Sequence, residues 1–182
     1  MRPVILILAS GRGTRYRAAG GPTHKLEADL CGRTVLQRTI AAAEDSGLPW
    51  HLERQNHAGM GDALAAAVAR RATARGWLVL PADMPMVLPQ TLRAVAAALD
   101  AGADAVQPVV GGQRGHPVGF AAHHLAALNA LSGDEGARHL LRKLRDAGGV
   151  VEIESGDRGA LEDIDTPADL QRAEALLRSR LA

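Results

Sequence analysis

Glycine, arginine and lysine residues crowd one segment near the start of the chain, where they could bind phosphate groups. The segment reads LILASGRGTRYRAAGGPTHK and ends at Lys25. Gly11 and Gly13 would let backbone N–H groups point at phosphate oxygens. Arg15 would add a planar, forked cation and Lys25 a point charge. A solvated basic loop is the alternative interpretation of the same residues.

Two common phosphate-binding motifs do not fit this segment. The dinucleotide fingerprint needs a third glycine three residues after the second, so that helix and strand can pack closely. Tyr16 stands at that position, and we expect no helix to start there. A Walker loop needs Gly-Lys-Ser/Thr, but Lys25 lies between His24 and Leu26. A nucleoside-triphosphate loop of another kind is therefore the functional hypothesis that remains.

Acidic residues farther along the chain could complete such a site with a metal ion. Asp83 follows the apolar run WLVL and stands among prolines in the sequence LPADMP. Mg²⁺ is typically held by one or two carboxylates together with substrate phosphates, which favours Asp83 as a metal ligand over a turn-capping role. Asp163 and Asp165 alternate on an extended segment, so we expect only one to face the crevice. Asp165 is the candidate for a second metal contact, and Asp169 is better explained as a helix cap.

The elements that would position these residues alternate between strands and helices. Short apolar runs predict strands at 3–8, 50–55, 77–80, 103–110 and 150–154. Apolar residues at helical spacing predict helices at 33–46, 59–76, 88–100 and 134–147, and from Thr166 onward. This alternation predicts a three-layer α/β fold with a mostly parallel sheet. Loops that leave its buried strands would lie at the carboxyl edge, where α/β proteins bind ligands.

Composition excludes several classes of protein. The chain has 182 residues, a net charge of +1 and 2% aromatic residues, which argues against nucleic-acid binding. No apolar run approaches the roughly 20 residues that span a bilayer, and the start of the chain lacks a signal-peptide pattern. The single cysteine, Cys31, excludes an internal disulfide. We therefore expect a cytoplasmic protein that acts on a small molecule, without nucleic-acid or membrane partners.

Six motifs, taken in their order, resemble the molybdopterin nucleotidyltransferases and especially their cytidylyltransferase branch. They span nearly the whole chain and read LASGRGTR with the later lysine, GMGDALAAAV, LPADMP, GQRGHPVGF, GDEGARHLL and DIDTPADL. The resemblance implies a Rossmann-like nucleotidyltransferase fold in one domain. Its nucleotide-binding half would cover residues 1–100 and its acceptor-binding half residues 101–182.

The resemblance also implies a reaction. CMP would move from CTP to the terminal phosphate of molybdopterin, with Mg²⁺ as cofactor and pyrophosphate as the second product. A molybdoenzyme could receive the new cofactor. Two alternatives stay open: the same chemistry with GTP or another phosphorylated acceptor, and a non-catalytic accessory protein that binds the nucleotide or cofactor.

Site residues follow from the same resemblance. Arg15, Lys25 and Asp83 form the implied catalytic set, with Asp83 and Asp165 at the metal. The implied nucleotide-binding residues are Leu8, Ala9, Ser10, Gly11, Gly13, Arg15, Lys25, Asn56 and Asp83. Arg114 and His116, in the RGHP motif of the cytidylyl type, would lie near the acceptor or the transferred phosphate.

The chain departs from the family pattern at two places, and it carries one arginine pair at helical spacing. Lys25 stands farther from Arg15 than in the family, so the open question is whether the intervening segment folds back towards the phosphates. The segment 45–58 is also short. Arg138 and Arg142 lie one helical turn apart and could reach an anionic pterin, although a solvated helix face is the expected interpretation.

Overall fold

A mixed β-sheet with helices packed on both faces forms the centre of this computed structural model, which describes residues 2–11 and 13–181. The strands are β1 (Val4–Leu8), β2 (Asp29–Leu30), β3 (Arg33–Thr34), β4 (Trp50–Glu53), β5 (Gly76–Pro81), β6 (Ala105–Val110), β7 (Gln113–Arg114), β8 (Val118–Ala121) and β9 (Val150–Glu154). The helices are α1 (Thr14–Ala18), α2 (Val35–Asp45), α3 (Met60–Arg70), α4 (Pro89–Asp100), α5 (Leu125–Asn129), α6 (Arg138–Asp146) and α7 (Pro167–Leu181). No helix in these two ranges is both long enough and apolar enough to cross a membrane.

Seven strands form the central sheet in the order β4-β1-β5-β8-β6-β7, with β9 on the other side of β6. β1 pairs in parallel with β4 and β5, and β6 pairs in parallel with β9. β8 is antiparallel to both β5 and β6, so β5 and β6 run in the same direction. The mostly parallel sheet predicted from the sequence is confirmed.

The apolar run that forms β1 packs on both faces of the sheet, as its continuous hydrophobicity predicts. Ile5 and Ile7 belong to the core under α2, α4 and α7, which contribute residues such as Leu36, Leu92 and Ala173. Leu6 and Leu8 belong to the core under α3 and α5. The sheet therefore lies between two helical layers. The loops that end at Lys25 and Asp83 lie at its carboxyl edge.

Two predicted helices are shorter than expected. The helix predicted over 134–147 begins only at Arg138, because Gly136 adopts a left-handed φ of 56° that interrupts a helix. The helix predicted within 59–76 ends at Arg70, and Ala72 is exposed instead of lying on the apolar face. The expectation that no helix starts near Tyr16 was wrong: α1 covers Thr14–Ala18 and buries the Tyr16 ring.

The sequence did not predict β7 and β8, which both pair antiparallel with β6. Gly111 and Gly112 have positive φ values of 56° and 81° and form the turn between β6 and β7. Two such residues are typical of a tight hairpin turn. The Gly115 N–H still donates to the Pro108 carbonyl of β6 at 2.8 Å, and regular pairing resumes only at β8. β8 then pairs with both β5 and β6 and places the RGHP motif at the carboxyl edge of β5.

Gly59 allows the start of α3 to touch the loop before α6. A Cβ atom at Gly59 would collide with the Gly133 carbonyl group, a backbone group that cannot rotate away. The Gly61 N–H donates to the same carbonyl at 2.7 Å, and the Asp62 carboxylate accepts from the Gly133 N–H at 3.0 Å. The contact holds the loop of residues 132–136 beside the carboxyl edge of the sheet.

We expect Gly59→Ala to lower the free energy of unfolding by about 1–3 kcal/mol, because overpacking a fixed contact forces the backbone to shift. Gly156→Ala is the matched control, since its added Cβ meets no heavy atom within 4 Å and its φ lies outside the left-handed region. Urea unfolding of both variants measures the difference. Equal stabilities would contradict the close approach at Gly59.

Candidate active site

Lys25 lies between two carboxylates at the carboxyl edge of β1 and β5. Its Nζ atom is 2.6 Å from Asp83 Oδ2 and 2.6 Å from Asp165 Oδ1. The side chains of Lys25, Asp83 and Asp165 are only 12%, 17% and 27% exposed. Asp83 Oδ1 is buried without a hydrogen-bond partner among the described residues. One carboxylate oxygen of this cluster is therefore left for a further ligand.

The segment between Gly13 and Lys25 folds back through contacts at its base. The His24 ring bridges the two ends: Nε2 lies 2.9 Å from the Gly11 carbonyl oxygen, and Nδ1 accepts from the Leu26 N–H at 3.3 Å. Both contacts are satisfied when Nε2 carries the proton. Tyr16 is buried in the core under α2. Lys25 therefore reaches Asp83 despite its unusual distance from Arg15 in the sequence.

Arg15 shares a carboxylate with Lys25. Its Nη1 atom is 2.7 Å from Asp165 Oδ2, while its side chain stays 81% exposed. The hydrogen bond from Lys25, with a smaller contribution from Arg15, lowers the pKa of Asp165 below its ordinary value. Burial alone would lower the pKa of Lys25, but the adjacent Asp83 and Asp165 carboxylates raise it above the ordinary value. Lys25 and Asp165 are therefore both charged near neutral pH.

Asp165, rather than Asp163, makes the contacts in this cluster. Burial and the charges of Asp83 and Asp165 raise the pKa of Asp163, so this carboxylate is near the cluster, but it makes no ion pair with the described residues. Asp169 Oδ2 accepts from the backbone N–H groups of Thr166 at 2.6 Å and Asp165 at 3.0 Å. Its predicted capping role is confirmed, and the cap fixes the backbone of Asp165.

The residues of the first loop lie beside this cluster. The Leu8 carbonyl accepts from the Ala82 N–H at 3.0 Å, which joins the loop to the segment that carries Asp83. The Ala9 N–H donates to the Glu53 carbonyl at 2.9 Å. Ser10 and Gly11 line a depression of about 410 Å³ whose other walls are residues 57–60 and Asp134. Gly13 precedes α1 with a left-handed φ of 59°, and Asn56 is exposed in the loop that leads to the depression.

His116 lines a second cavity of about 310 Å³ at the same edge of the sheet. Its apolar wall includes Leu8, Leu64, Val79, Pro81 and Phe120, and its polar groups include Gln107, His116 and Arg138. Burial lowers the pKa of His116, against smaller opposing effects of the Val79 backbone and Asp83. The imidazole is therefore neutral at physiological pH, and its Nδ1 atom is buried without a hydrogen-bond partner among the described residues.

Arg114, Arg138 and Arg142, the arginines considered for the acceptor, have different surroundings in the structure. Arg138, at the start of α6, is exposed as the sequence predicts and also lines the His116 cavity. Arg142 points elsewhere, with Nη2 at 2.6 Å from His139 Nδ1. Arg114 forms an ion pair with Glu152 of β9 at 2.6 Å. It is not among the described residues that line the cavity, and its acceptor role stays a prediction.

Sequence reasoning missed a buried carboxylate next to the Ser10 depression. Glu53, the last residue of β4, is 1% exposed, and its Oε1 atom lies 3.2 Å from His57 Nε2. Burial raises the pKa of Glu53, but hydrogen bonds from the Gln55 N–H and from His57 outweigh it and hold the pKa below the ordinary value. In the sequence, this carboxylate could have been noticed as an acidic residue at the end of a strand-like run. The pair orients His57 towards the depression.

A family model described as a MobA-like NTP transferase domain matches residues 41–147 of the chain. The purine catabolism protein PucB of Bacillus subtilis (strain 168) is 32% identical to the chain over 149 residues. That match covers 74% of this chain and 71% of PucB.

Solved structures share the fold over nearly the whole chain. The Mycobacterium sp. strain JC1 homologue of Rv0371c has a TM-score of 0.76 and 24% identity, covering 100% of this chain and 98% of that chain. A manganese complex of Rv0371c from Mycobacterium tuberculosis H37Rv has a TM-score of 0.70 and 21% identity, with coverages of 96% and 99%. Molybdopterin-guanine dinucleotide biosynthesis protein A of Archaeoglobus fulgidus has a TM-score of 0.64 and 19% identity, with coverages of 97% and 99%.

Proposed function

Since this chain belongs to the MobA-like NTP transferase domain family, we propose that it transfers CMP from CTP to the terminal phosphate of molybdopterin and releases pyrophosphate. The observation that carries this proposal is the cluster of Lys25, Asp83 and Asp165, with an unpartnered oxygen on Asp83. It combines cationic and anionic groups where a triphosphate and a divalent cation would meet.

Asp83 and Asp165 fit a divalent cation such as Mg²⁺. Both offer carboxylate oxygens, which hard cations prefer, and Asp83 Oδ1 is buried without a partner in the described ranges. When bound, Mg²⁺ would neutralise charge on the reacting phosphates. Rv0371c, which shares the fold, has been solved in complex with manganese, and this supports a divalent cation as the cofactor.

The residues of the chain would then hold the triphosphate by charge and by backbone hydrogen bonds. Lys25 and Arg15 would bind the β- and γ-phosphates, and the N–H groups of Gly11 and Gly13 would donate to the same oxygens. A phosphate monoester is largely dianionic at neutral pH because its second pKa is about 6, so it can attack the α-phosphorus without a covalent enzyme intermediate. Positioning and electrostatic stabilisation are the main contributions required of the protein.

The His116 cavity supports an aromatic acceptor with polar edges. Its apolar wall suits the faces of a heterocycle, and its polar groups Gln107, His116 and Arg138 suit the edges and an anionic tail. The volume of about 310 Å³ is at the lower end for ligand pockets. The RGHP motif, which resembles the cytidylyl signature, supports CTP over GTP.

A non-catalytic accessory protein that binds the nucleotide or cofactor is the second candidate. The observation that favours it is the position of Lys25, whose ammonium already forms an ion pair with each of the two carboxylates at 2.6 Å. GTP and other acceptors stay as alternatives, because PucB is named for purine catabolism and the Archaeoglobus protein for guanine dinucleotide biosynthesis.

A nucleotide screen separates these candidates. The purified chain is incubated with CTP, GTP, ATP or UTP, each with molybdopterin and with or without MgCl₂, and pyrophosphate is measured by a coupled phosphate assay. We expect Mg²⁺-dependent pyrophosphate release with CTP and a product heavier than molybdopterin by one CMP residue in mass spectrometry. Release with GTP would reassign the base, whereas tight CTP binding without turnover would establish the accessory role.

We expect Gly11→Ala to raise the KM for the nucleotide at least tenfold while leaving the melting temperature unchanged. An added Cβ meets no heavy atom within 4 Å in the free protein, but it would keep a phosphate from approaching the backbone. Steady-state kinetics and thermal unfolding measure the two effects. An unchanged KM would remove Gly11 from the triphosphate site.

A further inference from the structure

Two histidines and one aspartate meet at the amino edge of β6, far from the cluster around Lys25. Asp104 precedes β6, and His123 and His124 lie in the short turn of helix that follows β8. His123 Nε2 lies 3.2 Å from Asp104 Oδ1, and one potential ligand atom of each residue lies within 4.8 Å of the other two.

We propose that Asp104, His123 and His124 form a site for a first-row transition-metal dication such as Zn²⁺. Two imidazole nitrogens and one carboxylate oxygen are ligands that this class of cation accepts readily, whereas Mg²⁺ and Ca²⁺ prefer oxygen. Three protein ligands would leave a further coordination position to water, as in open zinc sites.

The backbone holds the three residues near each other before any metal binds. The Ala121 N–H donates to the Asp104 carbonyl at 2.9 Å, which ties the end of β8 to the residue before β6. Pairing of Ala105 with Phe120 fixes the register of the same two strands. The ligand-bearing residues therefore sit at the ends of two paired strands, and ligands on rigid elements bind metal more precisely than ligands on loops.

His124 gives a second, independent observation, a buried ring nitrogen that lacks a partner. Its Nε2 atom is buried and has no hydrogen-bond partner among the described residues, and its ring lies 4.1 Å, centroid to centroid, from the His123 ring. Ligands of a tetrahedral zinc ion lie about 3.3–3.5 Å apart, given bonds of about 2.0–2.1 Å. The side chains of His123 and Asp104 are 60% and 48% exposed and can turn inwards to reach that spacing.

The proposed site is separate from the nucleotide cluster. β5 pairs Gly76 with Ala121 at the histidine end, and Asp83 follows the opposite end of the same strand. The six residues of β5 put about 17 Å of strand between the two ends. A metal bound at Asp104 would join the α4–β6 connection to the start of α5 and so stabilise the fold without contacting the phosphates.

Metal titration of the tag-free chain tests the site. Isothermal titration calorimetry with ZnCl₂ in metal-free buffer should give about one equivalent, and Co²⁺ should give the visible absorption bands of a site with histidine ligands. We expect His123→Ala and Asp104→Asn to weaken Zn²⁺ binding at least tenfold and to remove the rise in melting temperature that saturating Zn²⁺ gives the parent chain. Both residues are exposed, so these variants should fold.

His139→Ala is the matched control, because His139 is an exposed histidine paired with a carboxylate, Glu135, at 2.7 Å. It should bind Zn²⁺ like the parent. No Zn²⁺ binding by the parent, or equal binding by the parent and His123→Ala, would overturn the proposal. Mg²⁺-dependent pyrophosphate release should be unchanged in His123→Ala, and a fall would contradict the separation of the two sites. Failure of the transferase assay in every variant would reject the proposed function and leave the metal result intact.

Discussion

Asp83→Asn is expected to lower the rate of pyrophosphate release from CTP by about 10²–10³-fold, the usual cost of removing one electrostatic contact to a transition state. The amide keeps the shape of the side chain but removes the negative charge and half of the oxygen ligands. Because Lys25 still pairs with Asp165, the melting temperature should change little. Rates measured at several MgCl₂ concentrations test the metal role, since the variant should need more Mg²⁺ for half-maximal activity.

Asp163→Asn provides the matched control for this prediction. Asp163 lies in the same acidic region, where burial and the charges of Asp83 and Asp165 raise its pKa, but it makes no ion pair with any described residue. Its neutralisation should leave the rate within about twofold of the parent, as for a surface substitution. Full activity in Asp83→Asn, or an equal loss in both variants, would refute a specific role for Asp83.

Lys25→Met is expected to lower both activity and stability. Without the ammonium, Asp83 has no cationic partner among the described residues, and Asp165 keeps only the exposed Arg15. We expect the free energy of unfolding to fall by about 1.5–3 kcal/mol, the range for hydrogen bonds to charged groups. The rate should fall at least about 10²-fold because the triphosphate loses a cation. MgCl₂ without nucleotide should raise the melting temperature of the variant more than that of the parent, in which Lys25 already occupies the space between the carboxylates.

Lys143→Met is the control for the loss of a lysine, since Lys143 is the only other lysine in the sequence and lies exposed on α6. It should match the parent in both assays. A Lys25→Met variant as stable and as active as Lys143→Met would show that the ammonium serves neither carboxylate nor substrate.

The pH dependence of this stability difference has a defined sign. The pKa of Asp165 is lowered in the folded chain, so its contribution is present above the ordinary aspartate pKa and is lost as pH falls through the lowered value. The pKa of Lys25 is raised, so its contribution is lost only as pH rises through that raised value. Thermal unfolding of the parent and Lys25→Met should therefore differ most near neutral pH and converge in acid.

Much of the fold could be predicted because its central strands are continuous apolar runs. The strands at β1, β5 and β6 and the capped helix α7 follow from local pattern alone. β7 and β8 could not, because Gly111 and Gly112 break the apolar pattern and the pairing depends on β6. Likewise, α1 is stabilised by burial of Tyr16, a tertiary effect that local helix propensity does not contain.

The candidate site was predictable in its residue types but not in its geometry. The ordered motifs indicated the family, and the comparisons confirm that assignment at the level of MobA-like NTP transferases. The position of Lys25 depends on His24 bridging Gly11 and Leu26, a contact that no spacing rule encodes. The position of Arg138 in the cavity wall also depends on elements that are far apart in the sequence. The roles of the site residues in catalysis remain predictions.

The closure of the first loop by His24 has a consequence for where the chain can accept an insertion. The two ends of the segment are joined at its base, and residues 17–20 between them are exposed. Lengthening such a loop costs little free energy once its ends are fixed. We therefore expect an affinity handle or fluorescent label inserted at Gly20 to leave the position of Lys25 between Asp83 and Asp165 unchanged.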